Sequence, residues 1–562
     1  MDSSSSFRPL MRIGKPPGDA LGKPLLTGPD YRSRTENGLF IEQNVPVALR
    51  DGTRILIDIY KPQAVRGDLP VILGWSPYGK HNLSGRGFPQ SGVEEGWMSS
   101  YTAFEAPDPA YWCPRGYAVA FADPRGTWLS EGEMHHGGQQ ESEDAYDLVE
   151  WLGEQPWSNG KVGMSGVSYL AAIQWQVGPL RPPHLAALNP WEAFSDWYRE
   201  FGYHGGIRET GFSPGACERL NWSLTRTEDT GASMLAHPLY DEYWASKETE
   251  LEAIETPIFI VASWSDQGFH TRGTLEAYKR IRSRHKWLDI HGRKKWAYYY
   301  DPANLERLRV FFDHFLKGSD RSVFSWPKVR LEVRERAYVG QIRAENEWPL
   351  ERTWFLPLYL DAAGGTLAST PPEQPAAVRY DSADPVGRAV FDHVFGEDTE
   401  LTGHMKLKLW VEAPGADDMD LFVAVQKLDR NGDLVPFVFY ALYENGPVAL
   451  GWLRASHREL DPLRSTPEQP VHPHTREIPL PAGEPTPVEI EIWPSSTVFR
   501  KGESLRVVVK GRDIYDEAPS NLPFARHQET RNMGPHVIHA GGPYDSHLLV
   551  PVIPLGVAGG DR

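Results

Sequence analysis

Cysteine is nearly absent from this chain. Only Cys113 and Cys217 occur among 562 residues, so no disulfide framework holds the fold, which points to a reducing, cytoplasmic setting. Long apolar runs are also missing: none approaches the roughly 18–20 residues a helix needs to cross a bilayer, so no membrane partner is expected. The first residues, Met1-Asp2-Ser3-Ser4-Ser5-Ser6, lack the basic flank and apolar core of a secretory signal. Basic clusters are missing as well. With a formal net charge of −17 and no Lys/Arg stripe, the chain has nothing to match a phosphate backbone, which excludes nucleic acid as a partner. No tetrahedral set of His, Cys and carboxylates recurs at ligand spacing. His135 and His136, near Glu141 and Asp144, read as a polar loop, and no metal or cofactor is expected.

What remains is an ordinary globular composition, 40% apolar and 24% charged, with 20 Trp. The length exceeds a single core and suggests roughly three or four domains. Residues 1–36, rich in Ser, Pro and Gly, read as an extension that wraps the surface without a core element. Val45–Arg50 and Thr53–Tyr60 alternate around Asp51-Gly52, a hairpin signal. Then come short continuous apolar runs: Pro70–Gly74, Tyr117–Phe121, Val162–Met164 and Pro257–Val261. These read as parallel strands buried on both faces. Ser142–Gly153 places Ala145, Leu148, Val149 and Leu152 at helical spacing, so strand, helix and strand alternate as in a doubly wound α/β domain.

Residues 176–250 break that rhythm. They are rich in Trp, Tyr and Gly and read as a helical cap inserted into the α/β domain, which therefore comprises residues 37–175 and 251–322. It closes with a helix from Pro302 that uses Leu305, Leu308, Phe312 and Phe315 and stops at Gly318. From 323 to 562, alternating strands such as Leu407–Val411, Leu421–Val425, Val488–Ile492 and Leu505–Val509 are separated by Gly/Pro turns. They read as a β-sandwich of jelly-roll type.

The most informative segment is Lys161-Val162-Gly163-Met164-Ser165-Gly166-Val167-Ser168-Tyr169-Leu170-Ala171-Ala172. A buried strand runs into a helix with almost no loop, the setting a nucleophile elbow needs. Gly166 stands two residues before Ser168, but Leu170 replaces the second glycine of Gly-x-Ser-x-Gly. Pattern alone also admits Ser165, framed by Gly163 and Gly166. Ser168 is preferred because Tyr169–Val177 reads as the following helix, whereas Ser165 still lies in the strand.

A serine hydroxyl needs an imidazole base, itself held by a carboxylate. In α/β-hydrolases the chain order is Ser, Asp/Glu, His, with acid and base after later strands. Asp266 stands just past the strand ending at Val261, and His291 ends the strand Lys286–Ile290. Taken singly, Asp266 also reads as a turn residue and His291 as a loop residue. His285 precedes its strand and lies at the wrong end; His270 is close to Asp266 in sequence but is expected to be displaced from the strand end.

Taken together and in order, these segments resemble the cocaine esterase / X-prolyl dipeptidyl-peptidase group, the CocE/NonD-type hydrolases. The resemblance is carried by Ser76-Pro77-Tyr78, Asp123-Pro124-Arg125-Gly126, Ser130-Glu131-Gly132-Glu133 and Gly163–Tyr169. It continues through Trp264-Ser265-Asp266, His291-Gly292-Arg293, Lys295-Trp296 and Phe311–Gly318, and spans nearly the whole chain after residue 40. It implies an α/β-hydrolase core, an inserted helical cap and a C-terminal jelly roll. It also implies a triad of Ser168, Asp266 and His291, and an oxyanion hole from the Tyr78 hydroxyl and the Tyr169 backbone N–H. One departure stands out: many members carry the histidine after a Gly-Pro-Trp run, whereas here His291 follows Leu288-Asp289-Ile290.

Trp191, Trp197, Phe201 and Tyr203 of the cap, with Trp75, Trp264 and Phe269 beside the proposed catalytic positions, are candidate walls of a substrate pocket. A dipeptidyl-peptidase must neutralise a substrate ammonium. Glu192, Asp196 and Glu200 could do so, but they form no evident cluster, which favours an ester. Arg125 reads as structural, paired with a nearby carboxylate. The expected activity is hydrolysis of a small ester or amide through an acyl-enzyme on Ser168, with turnover lost below about pH 6 as the imidazole protonates. The alternatives are acyl transfer to another acceptor, X-prolyl dipeptidyl-peptidase activity, or a non-catalytic binding protein on the same fold. A homo-oligomer is compatible with the sequence.

Overall fold

In a continuous apolar run every second residue faces the same side of a sheet, so a run that is apolar throughout is stable only between two cores. The computed structural model, which describes residues 8–17, 29–64, 67–80, 91–515, 525–532 and 534–554, shows this division. Val71, Leu73 and Trp75 enter one core and Ile72 the other; Ile258, Ile260 and Ala262 enter the first, Phe259 and Val261 the second.

The strands of this sheet are β1 (Leu39–Ala48), β2 (Arg54–Pro62), β3 (Leu69–Trp75), β4 (Ala118–Asp123), β5 (Ser158–Val167), β6 (Leu185–Trp191), β7 (Ile258–Ser263) and β8 (Lys286–His291). Their spatial order is β1-β2-β4-β3-β5-β6-β7-β8. β2 runs antiparallel to its neighbours, and β4 through β8 are parallel. The β1–β2 hairpin turns at Asp51-Gly52, where Gly52 takes φ +85°. Helix α1 (Gln139–Gly153) follows β4, α2 (Tyr169–Val177) follows β5, and α3 (Thr271–Arg280) follows β7. The helix Pro302–Lys317 ends on Gly318 at φ +71°. Arg125 forks onto Asp144 and reaches Asp51, tying the loop after β4 to α1 and to the hairpin.

Two expectations are corrected. The segment from 176 does not start an insertion directly, because Leu185–Trp191 is a central parallel strand between β5 and β7. Asn189 and Pro190 hide it in the sequence. Here the buried Asn189 side-chain amide is satisfied by Ser165, Trp191 and the Phe259 carbonyl, and its backbone by the Gln174 amide. The insertion therefore lies between Trp191 and Ile258, with short helices at Phe212–Arg219, Thr230–Ala236 and Glu242–Ala245. The N-terminal extension also forms strands: Met11–Ile13 pairs with Arg226–Glu228 of the insertion, and the exposed Arg32–Glu36 pairs with β1. The remainder of that extension, residues 1–7 and 18–28, is outside the described residues.

After β8 the chain continues through Val329–Arg336, parallel to it, into a series of largely antiparallel strands. Alternate residues of these strands, such as Leu421, Val423 and Val425, share a separate core. Their neighbours Phe422 and Ala424, with Trp452 and Trp493, join the core of the α/β sheet instead. The C-terminal strands thus share one apolar seam with the sheet's carboxyl side.

The strand-to-helix crossing at β5–α2 depends on Gly166, whose φ is +152°. A Cβ there would lie well inside van der Waals contact of Leu170 and 3.0 Å from the Glu105 carbonyl oxygen. Gly166→Ala is therefore expected to lower stability by about 1–3 kcal/mol through overpacking, read as an earlier denaturant-unfolding midpoint for the α/β body.

Candidate active site

Ser168 stands between β5 and α2 at φ +60° and ψ −116°. Its backbone N–H donates to Trp191 O at 3.0 Å, and its carbonyl accepts from Ala171 and Ala172 at 2.9 and 2.8 Å. This strained turn lifts the side chain over the carboxyl end of the sheet, at the start of a helix. Leu170 fills the space above Gly166, so packing here does not need the second glycine. Ser165 points elsewhere, bonded to Asn189 Oδ1 at 2.9 Å and to the Tyr299 hydroxyl at 3.0 Å.

The imidazole facing Ser168 belongs to His270. Ser168 Oγ lies 3.2 Å from His270 Nε2, and His270 Nδ1 bonds Asp266 Oδ2. The backbone explains the pairing. Phe269, His270 and Thr271 all donate N–H to Asp266 O, at 3.3, 3.2 and 3.2 Å, so the chain makes one helix-like turn and residues i and i+4 share a side. Gly268, at φ +89°, permits it. Because Nδ1–H donates to the carboxylate, Nε2 presents its lone pair to the serine.

His291 is not there. It shares strand parity with Trp287, so its side chain leaves the sheet toward the core opposite His270 and stacks on Tyr298, centroids 3.8 Å apart. Its Nδ1 accepts from Arg293 N–H at 3.1 Å, and its Nε2 is 3.1 Å from Glu192 Oε1. The expectation that His291 faces Ser168 is therefore corrected to His270, which the sequence reading had set aside as displaced from the strand end.

Lys295, the first residue of the helix Lys295–Tyr300, brings a buried ammonium to within 3.4 Å of Asp266 Oδ2 and 3.5 Å of His270 Nδ1. Burial opposes the charge on Asp266, but Lys295 and then His270 outweigh it and hold the carboxyl well below its usual range. Burial lowers the His270 imidazole; Asp266 pulls it up, Lys295 pushes it down, and it settles at about 4. Two further carboxyls stand close. Glu105 accepts from Trp296 Nε1–H at 2.7 Å and is pushed by burial up to about 7; Glu192 is raised further, by burial and then by the charge of Asp266.

The Tyr78 hydroxyl lies 3.5 Å from Ser168 Oγ, and the Tyr169 N–H opens α2, where the first-turn N–H groups have no partner within the helix. Phe104 packs edge-on to Tyr78 and to Trp296, at 5.1 and 5.6 Å between centroids. Phe269 meets His270 at 4.1 Å and joins Phe194, Phe201 and Phe212. Trp197 extends this group through Phe194 and Phe201.

Four expected pocket residues are placed in the interior instead. Trp75 is fully buried with its indole on Glu141, Trp191 donates to Asn189, Trp264 donates to Glu332 O, and Tyr203 donates to Met234 O. Glu200 pairs with Arg272 and Asp196 with Arg199. His136 bonds Thr230, and among the described residues no group of three or more His, Cys, Asp or Glu is placed to hold a metal ion. No helix among them is long and apolar enough to cross a membrane. Cys113 and Cys217 are free and buried.

Comparison with known proteins gives the family. Residues 51–232 and 216–294 match the model of the X-Pro dipeptidyl-peptidase (S15 family), and residues 323–549 match the X-Pro dipeptidyl-peptidase C-terminal non-catalytic domain. A crystal structure of a CocE/NonD family hydrolase from Staphylococcus aureus is 40% identical, with a TM-score of 0.90 over 95% of this chain and all of that one. The chain belongs to the CocE/NonD hydrolase family. Within that family, the cocaine esterase of Rhodococcus sp. (strain MB1 Bresler) is 27% identical over 91% of this chain and 98% of its own length. This CocE/NonD chain is a serine hydrolase acting on ester or amide bonds.

The cation beside His270 has a measurable signature. Histidine-labelled NMR should place the His270 titration well below the ordinary imidazole value, toward about 4. Lys295→Met removes the downward push, so the titration should move up; an unmoved or lower value contradicts the arrangement.

Proposed function

We propose that the chain hydrolyses an ester of a small organic acyl group through an acyl-enzyme on Ser168. The observation that carries this is the unbroken contact from Ser168 Oγ to His270 Nε2 and from His270 Nδ1 to Asp266 Oδ2. Ser168 Oγ bonds to the substrate carbonyl carbon while its proton passes to His270 Nε2. The carbonyl oxygen takes the negative charge and faces the Tyr78 hydroxyl and the Tyr169 N–H; each such donor contributes about 3–4 kcal/mol to the transition state. When the bond to the alcohol breaks, His270 returns the proton to the leaving oxygen. Water, deprotonated by the same imidazole, then releases the acid and restores the serine. Asp266 orients the ring and stabilises the imidazolium.

Charge supports an ester over an N-terminal dipeptide. Glu200 and Asp196 are each neutralised by an arginine, and Asp266 carries both His270 and Lys295. The aromatic group around Phe269 and the Phe104–Trp296 pair suit an uncharged acyl or alcohol part. In this reading the insertion after Trp191 caps the strand ends, the strands after Val329 form the jelly roll, and the free cysteines fit the cytoplasm.

A fluorophosphonate should label the native protein once, and Ser168→Ala should abolish the label. Ser168→Ala and His270→Ala should each lower kcat on a small aryl ester by about 10⁴-fold or more, whereas His291→Asn should keep labelling. Labelling that survives in Ser168→Ala, or an equal loss in the two histidine variants, would defeat this assignment.

The base is active when neutral, so the rate falls as pH drops through the His270 value. Because that value is lowered to about 4, kcat/KM should hold its plateau well below the pH 6 limit expected of an ordinary imidazole. A half-fall near the ordinary value would contradict it.

A further inference from the structure

Glu192 stands at the carboxyl end of β6, next to the β7 strand whose following turn carries Asp266, and its N–H donates to Val261 O at 2.8 Å. Its backbone takes φ +46°, a left-handed conformation that a glycine would adopt at no steric cost. The position nonetheless holds a carboxyl that is 1% exposed and lies in the field of the Asp266 carboxylate. Neither Glu192 oxygen, nor Asp266 Oδ1, receives a hydrogen from any conventional donor among the described residues.

Two ionised carboxylates are both acceptors and repel each other, and burial with the charge of Asp266 favours the neutral form of Glu192, which has a proton to donate. Asp266 already accepts from His270 and pairs with Lys295 through its other oxygen, Oδ2. The ion-stabilising partners are therefore Asp266's, and the proton resides on Glu192. On its far side Glu192 faces His291. Since Arg293 N–H donates to Nδ1 of that ring, its proton is on Nε2, 3.1 Å from Glu192 Oε1, although the N–H is not aimed squarely at the oxygen.

We propose that Glu192 is a positioning residue: a neutral carboxylic acid that donates to Asp266 Oδ1 and fixes that carboxylate's rotation toward His270, with His291 against its other side. This rests on the reading of Ser168, His270 and Asp266 as the catalytic triad, and it gives His291 a place in the same chain of contacts one step further from the serine. Without the donor, Asp266 Oδ1 is a buried acceptor with no partner, and the carboxylate is free to turn from the imidazole toward Lys295.

Glu192→Gln and Glu192→Met separate this from a role in packing. The glutamine amide still donates to Asp266 Oδ1; methionine keeps the volume and cannot donate. Glu192→Gln should retain kcat within about 5-fold, while Glu192→Met should lose about 10- to 100-fold in kcat with KM unchanged. Infrared difference spectra of wild type against Glu192→Gln at neutral pH should show the loss of one protonated-carboxyl band that shifts in D₂O, whatever the activity of either variant. An absent band, or equal losses in the Gln and Met variants, overturns the assignment of Glu192. Ser168→Ala and His270→Ala, assayed alongside, report on the triad separately.

Discussion

Asp266 is a charged group held where water cannot reach it. An isolated carboxylate with 1% exposure would take up a proton rather than stay ionised. It stays ionised because an ammonium from the loop after β8 and an imidazole from its own turn converge on one of its oxygens. Much else in the site follows from that neutralisation. The tautomer of His270 is fixed by the carboxylate, its basicity is lowered by burial and the lysine, and Glu192 keeps a proton because Asp266 has none to give. Glu105, with an indole N–H on one oxygen, lies in the same field. The cluster is balanced as one anion and one cation beside acids whose ionisation burial opposes, an arrangement less costly to bury than three carboxylates.

That balance requires the turn after β7 to be held in place, and the C-terminal strands contribute to holding it. Tyr440 N–H donates to Ser265 O at 2.7 Å, the Gln267 side-chain amide donates to Pro494 O at 3.1 Å, and Leu450 N–H donates to Gln267 Oε1 at 3.1 Å. Gly268 is seated against Trp452, Tyr440 and Ala525. A region whose family description calls it non-catalytic thus grips three of the residues between Trp264 and Phe269. Its core is separate from that of the sheet, yet Phe422, Trp452 and Trp493 are packed into the latter. The coupling runs from apolar packing to backbone hydrogen bonds and then to the spacing of Asp266 and His270.

The division into an α/β body and later antiparallel strands was legible because it rests on period and length: short runs apolar on both faces, then alternation. The turn at Ser168 was legible for a similar reason, since a strand running straight into a helix needs small neighbours such as Gly166 and the two alanines. β6 was not, because its Asn189 and Pro190 argue against a strand until tertiary contacts satisfy them. The base was misplaced for a more specific reason. Strand-end logic puts the histidine after β8, but side-chain parity sends His291 to the opposite face, and the missing Gly-Pro-Trp run marked that loop as unusual. The loop delivers Lys295 instead. The signal for His270 was local: four residues separate it from Asp266, with a glycine between to let the turn close. The aromatic candidates divide by the same test, since indoles such as those of Trp75 and Trp264 have buried backbone or carboxylate partners and serve the core.

Backbone strain gives an independent view of the same place. Ser168, Glu105 and Glu192 all take positive φ, at +60°, +61° and +46°. Each costs on the order of 1–3 kcal/mol at a non-glycine residue. They are tied together: Val167 N–H donates to Glu105 O, Ser168 N–H to Trp191 O, and Glu192 N–H to Val261 O. Three neighbouring strained positions linked through strand ends are over-determined by their surroundings, and glycine at any of them would be easier to fold. What glycine could not supply is the Ser168 hydroxyl on the His270 imidazole and two buried carboxyls in the field of Asp266. The strain is therefore the structural counterpart of the chemistry: the fold holds these three backbones in costly conformations because their side chains must converge.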